Sequence, residues 1–354
     1  MRGSSSFPKV TIGLDLGDEV SRTCEVDRRG KVVRRDAVAT NREALAAYFG
    51  VRSRCRVVME AGTHSPWVSR LVKELGHEVV VANPSEIYGP RRRKKRNDGI
   101  DAEFLARQGR ADTQLLHPIE HRDAKVQAHL EVIRARDQLV GARTKLINHV
   151  RGAVKSAGGR LERCSAEAFS LRAAGQLPDA LRAALLPLLE VIGNLTKQIG
   201  AFDKQIESLT ESYPATQKLR QVKGVGPVTA LTFVLLVETP ERFRRARSVG
   251  AYFGLVPRLD ESSGSSPQLR ITKAGDELGR RLLVSAAQYI LGPFGPDCDL
   301  RRYGERIASR GGKNAKKRAA VAVARKLAVL LLQLWRSDRA YDPHFNVDAM
   351  IPAA

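Results

Sequence analysis

Residues 10–17, Val-Thr-Ile-Gly-Leu-Asp-Leu-Gly, restrict the possible folds more than any other stretch of the chain. They form a short β-compatible run that is apolar apart from Asp15 and is closed by a glycine. A carboxylate inside such a strand is costly unless a cation or hydrogen bonds hold it. The oddity recurs at Glu60, which ends the apolar run Val57-Val58-Met59. Asp98 and Asp101 follow a basic run at the start of a helical stretch, and their spacing puts both on one helical face. Four acids at the ends of regular elements make Asp15, Glu60, Asp98 and Asp101 candidate ligands of one metal site.

The elements around these acids suggest a mixed sheet. Residues 22–26 and 31–33 flank Asp27-Arg28-Arg29-Gly30, a hairpin signal. Asn41 is placed to cap a helix running to about Tyr48. The Glu60 strand, a helix near Pro66–Leu75 and the strand His77–Ala82 follow, closed by Asn83-Pro84. Three strands, helix, strand, helix, strand, helix is the order of the ribonuclease-H and RuvC-like fold, so residues 1–115 are expected to be an α/β domain of that kind.

A change of character follows. Between about 119 and 215 the chain reads as long charged helices, in which Leu188, Ile192, Leu195, Ile199, Phe202, Ile206 and Leu209 alternate at spacings of four and three. That seam predicts a coiled coil over 116–215, with Val126–Val154 as its antiparallel partner and Gly175 and Pro178 in the connection. Such a seam spaces end domains or dimerises the chain. Residues 216–354 then form a mainly helical C-terminal domain.

Charge narrows the partner. Lys and Arg number 60 against 38 acids, a formal net charge of +22, which favours a polyanion, nucleic acid above all. Aromatics are only 5% of the chain, so base stacking is not the main binding mode. Six consecutive cations, Arg91, Arg92, Arg93, Lys94, Lys95 and Arg96, stand immediately before the third acid; they read either as a solvated loop or as a phosphate-holding segment. Cys24, Cys55, Cys164 and Cys298 lie far apart, which fits a reduced, cytoplasmic protein without a zinc knuckle. The histidines show no ligand spacing, and His117 and His121 read as surface residues. There is no apolar signal core at the N-terminus, and the longest apolar run, Leu327–Leu334, is too short to span a bilayer.

Two further motifs lie in the last third. Lys223-Gly224-Val225-Gly226-Pro227 opens an apolar helix, Val228–Val237. A Gly-x-Gly turn of helix-hairpin-helix type exposes backbone N–H groups, so Lys223, Gly224 and Gly226 are candidates for gripping a phosphate. Downstream, a serine cluster at 262–266 lies between Arg258 and Arg270–Lys273. Composition alone favours a flexible linker there; the other reading is a nucleophilic serine among phosphate-binding cations.

Together these motifs resemble the DEDD insertion-sequence transposases, the bridge-RNA-guided recombinases, over nearly the whole chain. Ile12-Gly13-Leu14-Asp15, the strand ending Met59-Glu60-Ala61-Gly62-Thr63, and Asn97-Asp98-Gly99-Ile100-Asp101-Ala102 match the family's four acids. Gly254-Leu255-Val256-Pro257-Arg258 and Ile271-Thr272-Lys273-Ala274-Gly275 bracket its serine. The family commonly reads Lys-Thr-Asp where this chain has Arg96-Asn97-Asp98, and its serine is usually followed directly by glycine, whereas here Ser262 and Ser263 both precede Gly264. The ungapped distance from Pro257 to Ile271 selects Ser262.

The resemblance implies Mg²⁺ on Asp15, Glu60, Asp98 and Asp101, a Ser262 nucleophile that forms a 5′-phosphoserine link, and Arg258 and Lys273 as phosphate clamps. It further implies donor and target DNA and a guide RNA as partners, and a homo-oligomer, dimer or tetramer. Three rivals stand beside it. A water-using RuvC-like nuclease would leave the serine cluster as a linker. An actin- or sugar-kinase-like ATPase shares the first phosphate loop but needs two further loops that the sequence does not offer. A binding protein without activity has no use for four acids in this order.

Overall fold

The computed structural model describes residues 8–84, 98–258, 269–337 and 339–345, with backbone alone at 98 and 99. The chain divides into two compact units, Met1–Ala124 and Lys125–Ala354.

The first unit is built on a five-stranded sheet. Strands β1 (Val10–Asp15), β2 (Val20–Asp27) and β3 (Val32–Ala39) form an antiparallel meander. β4 (Arg56–Glu60) and β5 (Glu78–Ala82) run parallel to β1, giving the order β3-β2-β1-β4-β5. Alternation decides what covers each face. Ile12, Leu14, Val57, Met59 and Val81 pack with Leu45 and Phe49 of helix α1 (Arg42–Gly50) and Val68, Leu71 and Val72 of helix α2 (Ser65–Glu74). Asn41 caps α1, its side chain accepting from the Ala44 N–H at 2.8 Å, as the sequence suggests.

The opposite face carries Gly13, Cys24, Val26, Val58, Val80 and Ala82, and helix α3 (Asp98–Ala111) lies on it through Ala102, Leu105 and Ala106. Gly13 is what allows this helix so close: a Cβ there would stand 2.6 Å from the Ala106 amide nitrogen and closer still to the Ala102 carbonyl oxygen. A glycine inside a strand commonly marks such an approach.

The second unit is helical. Helices α4 (Ala124–Ser156) and α6 (Asp179–Glu211) lie antiparallel, as the crossed pairings Arg136–Asp203 (2.6 Å) and Arg143–Thr196 (3.3 Å) require. Their connection contains a short helix, α5 (Phe169–Ala174), whose Phe169 and Ala173 share a core with Ile147, Val150, Leu185, Leu189 and Ile192. At the other end Leu130, Ile133 and Ile206 join the large C-terminal core. That core is centred on α8 (Pro227–Val237), in which every residue from Ala230 to Val237 is buried. Around it stand α7 (Ala215–Leu219), α9 (Ser248–Tyr252), α10 (Glu277–Leu291), α11 (Asp299–Ala308) and α12 (Ala315–Arg336). Buried side chains of this kind contribute roughly 1.5–3 kcal/mol each, which makes α8 the anchor of the unit. No helix among the described residues is long and apolar enough to cross a membrane.

Candidate active site

Asp15 and Glu60 are the residues immediately after the last parallel pair between β1 and β4, Leu14 with Met59. Each lies two residues beyond a residue that touches α3: Asp15 beyond Gly13, and Glu60 beyond Val58, which packs against Gly109. By strand alternation both carboxylates therefore share the face that α3 covers. Both are half-buried, as is Asp101.

The direction of α3 decides which of its ends meets them. Its C-terminal half is tied to the opposite end of the sheet. Arg107 Nη1 donates to the Gly30 carbonyl at 2.9 Å and Arg110 Nη1 to the Arg28 carbonyl at 3.2 Å, both in the β2–β3 turn. Arg56, at the start of β4 and 7% exposed, donates Nη1 to the Gly109 carbonyl at 2.8 Å and Nε to Glu78 at 2.8 Å. A buried cation on the carbonyls near a helix C-terminus is favoured by the helix dipole as well as by the hydrogen bond. Glu103 ties the helix to β3 through Arg35, and its hydrogen bonds from Arg107 and Arg35 hold its carboxyl below the usual carboxylate range. With that end fixed, the first turn of α3, carrying Asp98 and Asp101, lies toward the C-terminal ends of β1 and β4. Among the described residues no three His, Cys, Asp or Glu side chains close into a finished metal site, and the side chain of Asp98 lies outside them. The donor set itself, carboxylates alone on strand and helix ends, suits a hard divalent cation.

The loop after Glu60 is pinned by a contact that spacing did not disclose. The Ser65 hydroxyl donates to the Gly62 carbonyl (2.8 Å) and accepts from the Gly62 N–H (2.9 Å). Its third neighbour, His121 Nε2 at 2.8 Å, therefore supplies an N–H. His121 is thus half-buried and bonded rather than a surface residue; burial, then the charges of Arg70, Lys73 and Arg122, lowers its pKa below the ordinary value. A lone histidine 56 residues away in sequence gave no signal of this pairing.

In the second unit, Val256–Arg258 and Arg270–Lys273 run side by side. Arg258 N–H donates to Arg270 O (2.9 Å), Thr272 N–H to Val256 O (2.9 Å) and Lys273 N–H to Gly254 O (3.1 Å). The bridge Pro257–Ile271 closes the base of the segment 259–268. Gly254 has φ +65°, and a Cβ there would stand 2.5 Å from the Ala274 nitrogen, so two chains can meet only because it is glycine. Arg258 and Lys273 are exposed at this base, and Lys273 itself has φ +56°. Ser262, Ser263 and the run Arg91–Arg96 lie outside the described residues.

The Gly-x-Gly turn forms as a tight link between α7 and α8. Gly224 has φ +93°, and a Cβ on it would press on Tyr289 and on the Ala286 carbonyl of α10 (3.0 and 3.2 Å). Arg220, Lys223, Gly224, Gly226, Thr229, Ser285 and Tyr289 line an open pocket of 440 Å³ at this turn.

Comparison with known proteins matches two segments of the chain. A transposase family model, that of the DEDD transposases of IS110, matches residues 12–158, and the model described as the transposase IS116/IS110/IS902 family matches 216–297. The chain is 29% identical over 340 residues to a probable family 20 transposase of Pseudomonas aeruginosa, covering 94% of this chain and 98% of that protein. It is 28% identical to the transposase for insertion sequence element IS1111A of Coxiella burnetii, covering 93% and 90%. It is also 23% identical to the pilin gene-inverting protein of Moraxella bovis, over 96% and 99%. The two family models together cover more than half of the chain, which belongs to the IS116/IS110/IS902 family of insertion-sequence transposases.

Proposed function

We propose that the chain cuts and rejoins DNA through a phosphoserine intermediate, in a RuvC-like N-terminal domain and a C-terminal serine loop. The observation that carries the reading is the placing of Asp15, Glu60 and the first turn of α3 at one end and one face of the sheet. The strand order β3-β2-β1-β4-β5, with one antiparallel meander and two parallel strands, supports the RuvC-like assignment.

Asp15, Glu60, Asp98 and Asp101 would hold Mg²⁺, which when bound makes a hydroxyl easier to deprotonate and offsets charge on a phosphate. The protein's own residues supply the rest. Arg258 and Lys273, exposed at the base of the 259–268 segment, grip the non-bridging phosphate oxygens. The bridge between Pro257 and Ile271 keeps Arg258 and Lys273 at one base, and Ser262 is the proposed nucleophile toward the phosphate they hold. Its hydroxyl oxygen attacks phosphorus; the Oγ–P bond forms as the P–O3′ bond breaks. The serine proton passes to a nearby base and the departing O3′ takes up a proton as a hydroxyl. The ester stores the energy of the broken phosphodiester, and attack by a 3′-hydroxyl reverses the step. Transposition and gene inversion, the activities in the relatives' names, both need ends to be rejoined, which favours this route over hydrolysis.

The target would be chosen by pairing with a guide RNA, the protein holding backbones without reading bases; +22 net charge with 5% aromatics supports that division of labour. A homo-oligomer, dimer or tetramer, would bring two DNA ends together, with α4 and α6 as a coiled coil providing the contact.

Incubation with Mg²⁺, guide RNA and target should trap protein joined to a DNA 5′ end. Ser262→Ala should abolish the adduct while Ser263→Ala weakens it only modestly. Loss with Ser263→Ala alone would move the nucleophile by one residue. Cleavage by the wild type with no adduct would establish a water-using nuclease instead.

A further inference from the structure

We infer that the α11–α12 turn and the first turn of α12 form a nucleic-acid-backbone surface, made of residues other than the 91–96 run and the Gly-x-Gly turn. It rests on the nucleic-acid reading above but lies beyond residue 297, where the match to the second family model ends.

Between Glu305 and Asp338 the sequence contains no acid at all, and the first part of that span, 306–318, contains six cations: Arg306, Arg310, Lys313, Lys316, Lys317 and Arg318. All six are exposed. None forms an ion pair among the described residues, and the polar contact seen there is internal, from Arg318 Nη2 to the Gly311 carbonyl at 2.8 Å. The contrast with the residues just upstream is sharp. Arg301 pairs with Glu305 at 2.8 Å, and Arg302 with Asp297 and Asp299 at 2.7 and 2.8 Å. Compensation therefore stops where the patch begins.

Three of the cations also sit where the fold itself would choose otherwise. Lys316, Lys317 and Arg318 occupy the first turn of a 22-residue helix that has no acid there. The positive end of the helix dipole favours carboxylates at these positions and disfavours cations. Charges that oppose one another and the helix within a few residues favour an external anion, and a polyanion satisfies several at once. Lysine predominates among the central positions, which fits point-charge contacts to phosphate rather than bidentate base recognition. No large apolar residue between 306 and 318 is exposed, so the patch has nothing to insert into a lipid surface. The ligand is accordingly a phosphodiester backbone, held without regard to sequence.

The test uses the full chain carrying R310Q/K313Q/K316Q/K317Q, a variant that retains Arg318 because of its bond to Gly311. Binding to a mixed-sequence DNA duplex, an RNA hairpin and anionic vesicles is measured across a salt series. Four lost phosphate contacts should make the slope of log affinity against log salt shallower by about 3 to 4 units for a duplex. The melting temperature should hold or rise, since cations leave a helix N-terminus. A charge-matched control, K145Q/R172Q/K197Q/K204Q, removes four exposed cations of α4, α5 and α6 and should change the slope by less than half as much. A change confined to duplex or to hairpin supports the surface and assigns it to DNA or RNA. An unchanged slope, an equal change in the control, or a loss confined to vesicles overturns it. Wild-type protein that binds neither nucleic acid would instead overturn the functional reading.

Discussion

Replacing Gly13 with alanine tests the seating of α3 and, through it, the arrangement of the acids. The added methyl would lie 2.6 Å from the Ala106 nitrogen and nearer still to the Ala102 carbonyl oxygen, where ordinary contact begins at 3.4 Å. The obstacle is helix backbone, which cannot rotate aside, so α3 must retreat from β1 by about 1 Å or more. Overpacking of this kind costs about 1–3 kcal/mol, and an immovable backbone places Gly13→Ala near the upper end. For a unit of this size that lowers the melting temperature by about 10 °C. The same retreat carries Asp101 away from the strand ends, and a misplacement of about 1 Å at a reacting centre costs roughly 100-fold in rate. Thermal unfolding and Mg²⁺-dependent strand cleavage measure the two effects separately. Gly109→Ala is the control, because its methyl meets the Val58 side chain, with Cβ at 3.3 Å, rather than backbone. Val58→Ala should therefore relieve Gly109→Ala in a double-mutant cycle and leave Gly13→Ala unrelieved. Gly13→Ala protein with unchanged melting and cleavage would refute the close packing of α3 on β1.

Other outcomes follow from the same geometry. Asp15→Asn or Asp101→Asn should abolish strand cleavage and leave DNA and RNA affinity nearly intact, because affinity resides in the cations; joint loss of binding and cleavage in folded protein would contradict the metal-site assignment. Gly254→Ala should destabilise the second unit by about 1–3 kcal/mol, since both its positive φ and the Ala274 backbone oppose a side chain; urea unfolding reads this directly. The His121 pKa is lowered in the folded state, so its neutral form is favoured there. Its contribution is present in full above the ordinary value near 6.5 and is lost as pH falls through the lower folded value. His121→Gln, which keeps an N–H for Ser65, should flatten the acid limb of stability against pH; an unchanged limb would show that the imidazole is not the titrating group.

Local pattern alone was sufficient for much of the first unit. Short apolar runs marked β1, β4 and β5, Asn41 marked the start of α1, and Asp27–Gly30 marked the hairpin, because each signal is complete within a few residues. The motifs around Asp15, Glu60 and Asp98–Asp101, and around 254–258 and 271–275, were enough to point to an insertion-sequence transposase family, which the comparisons establish. Distance in sequence hid the rest. That Gly13 is the floor on which Ala102 and Ala106 rest, that Arg56 holds the end of α3, and that His121 donates to Ser65 are facts about residues at least 53 positions apart, brought together only when both sheet faces find their cover. The heptad seam shows the same limit. Periodicity marked one stripe of α6, but the residues it buries deepest are Leu185, Leu189, Ile192, Ile199 and Ile206; the core around Phe169 takes the first three and the core around α8 takes Ile206. A sequence period can say which side of a helix is apolar; what that side meets is decided by packing, where burial of whole side chains outweighs the fraction of a kilocalorie per residue in local propensity.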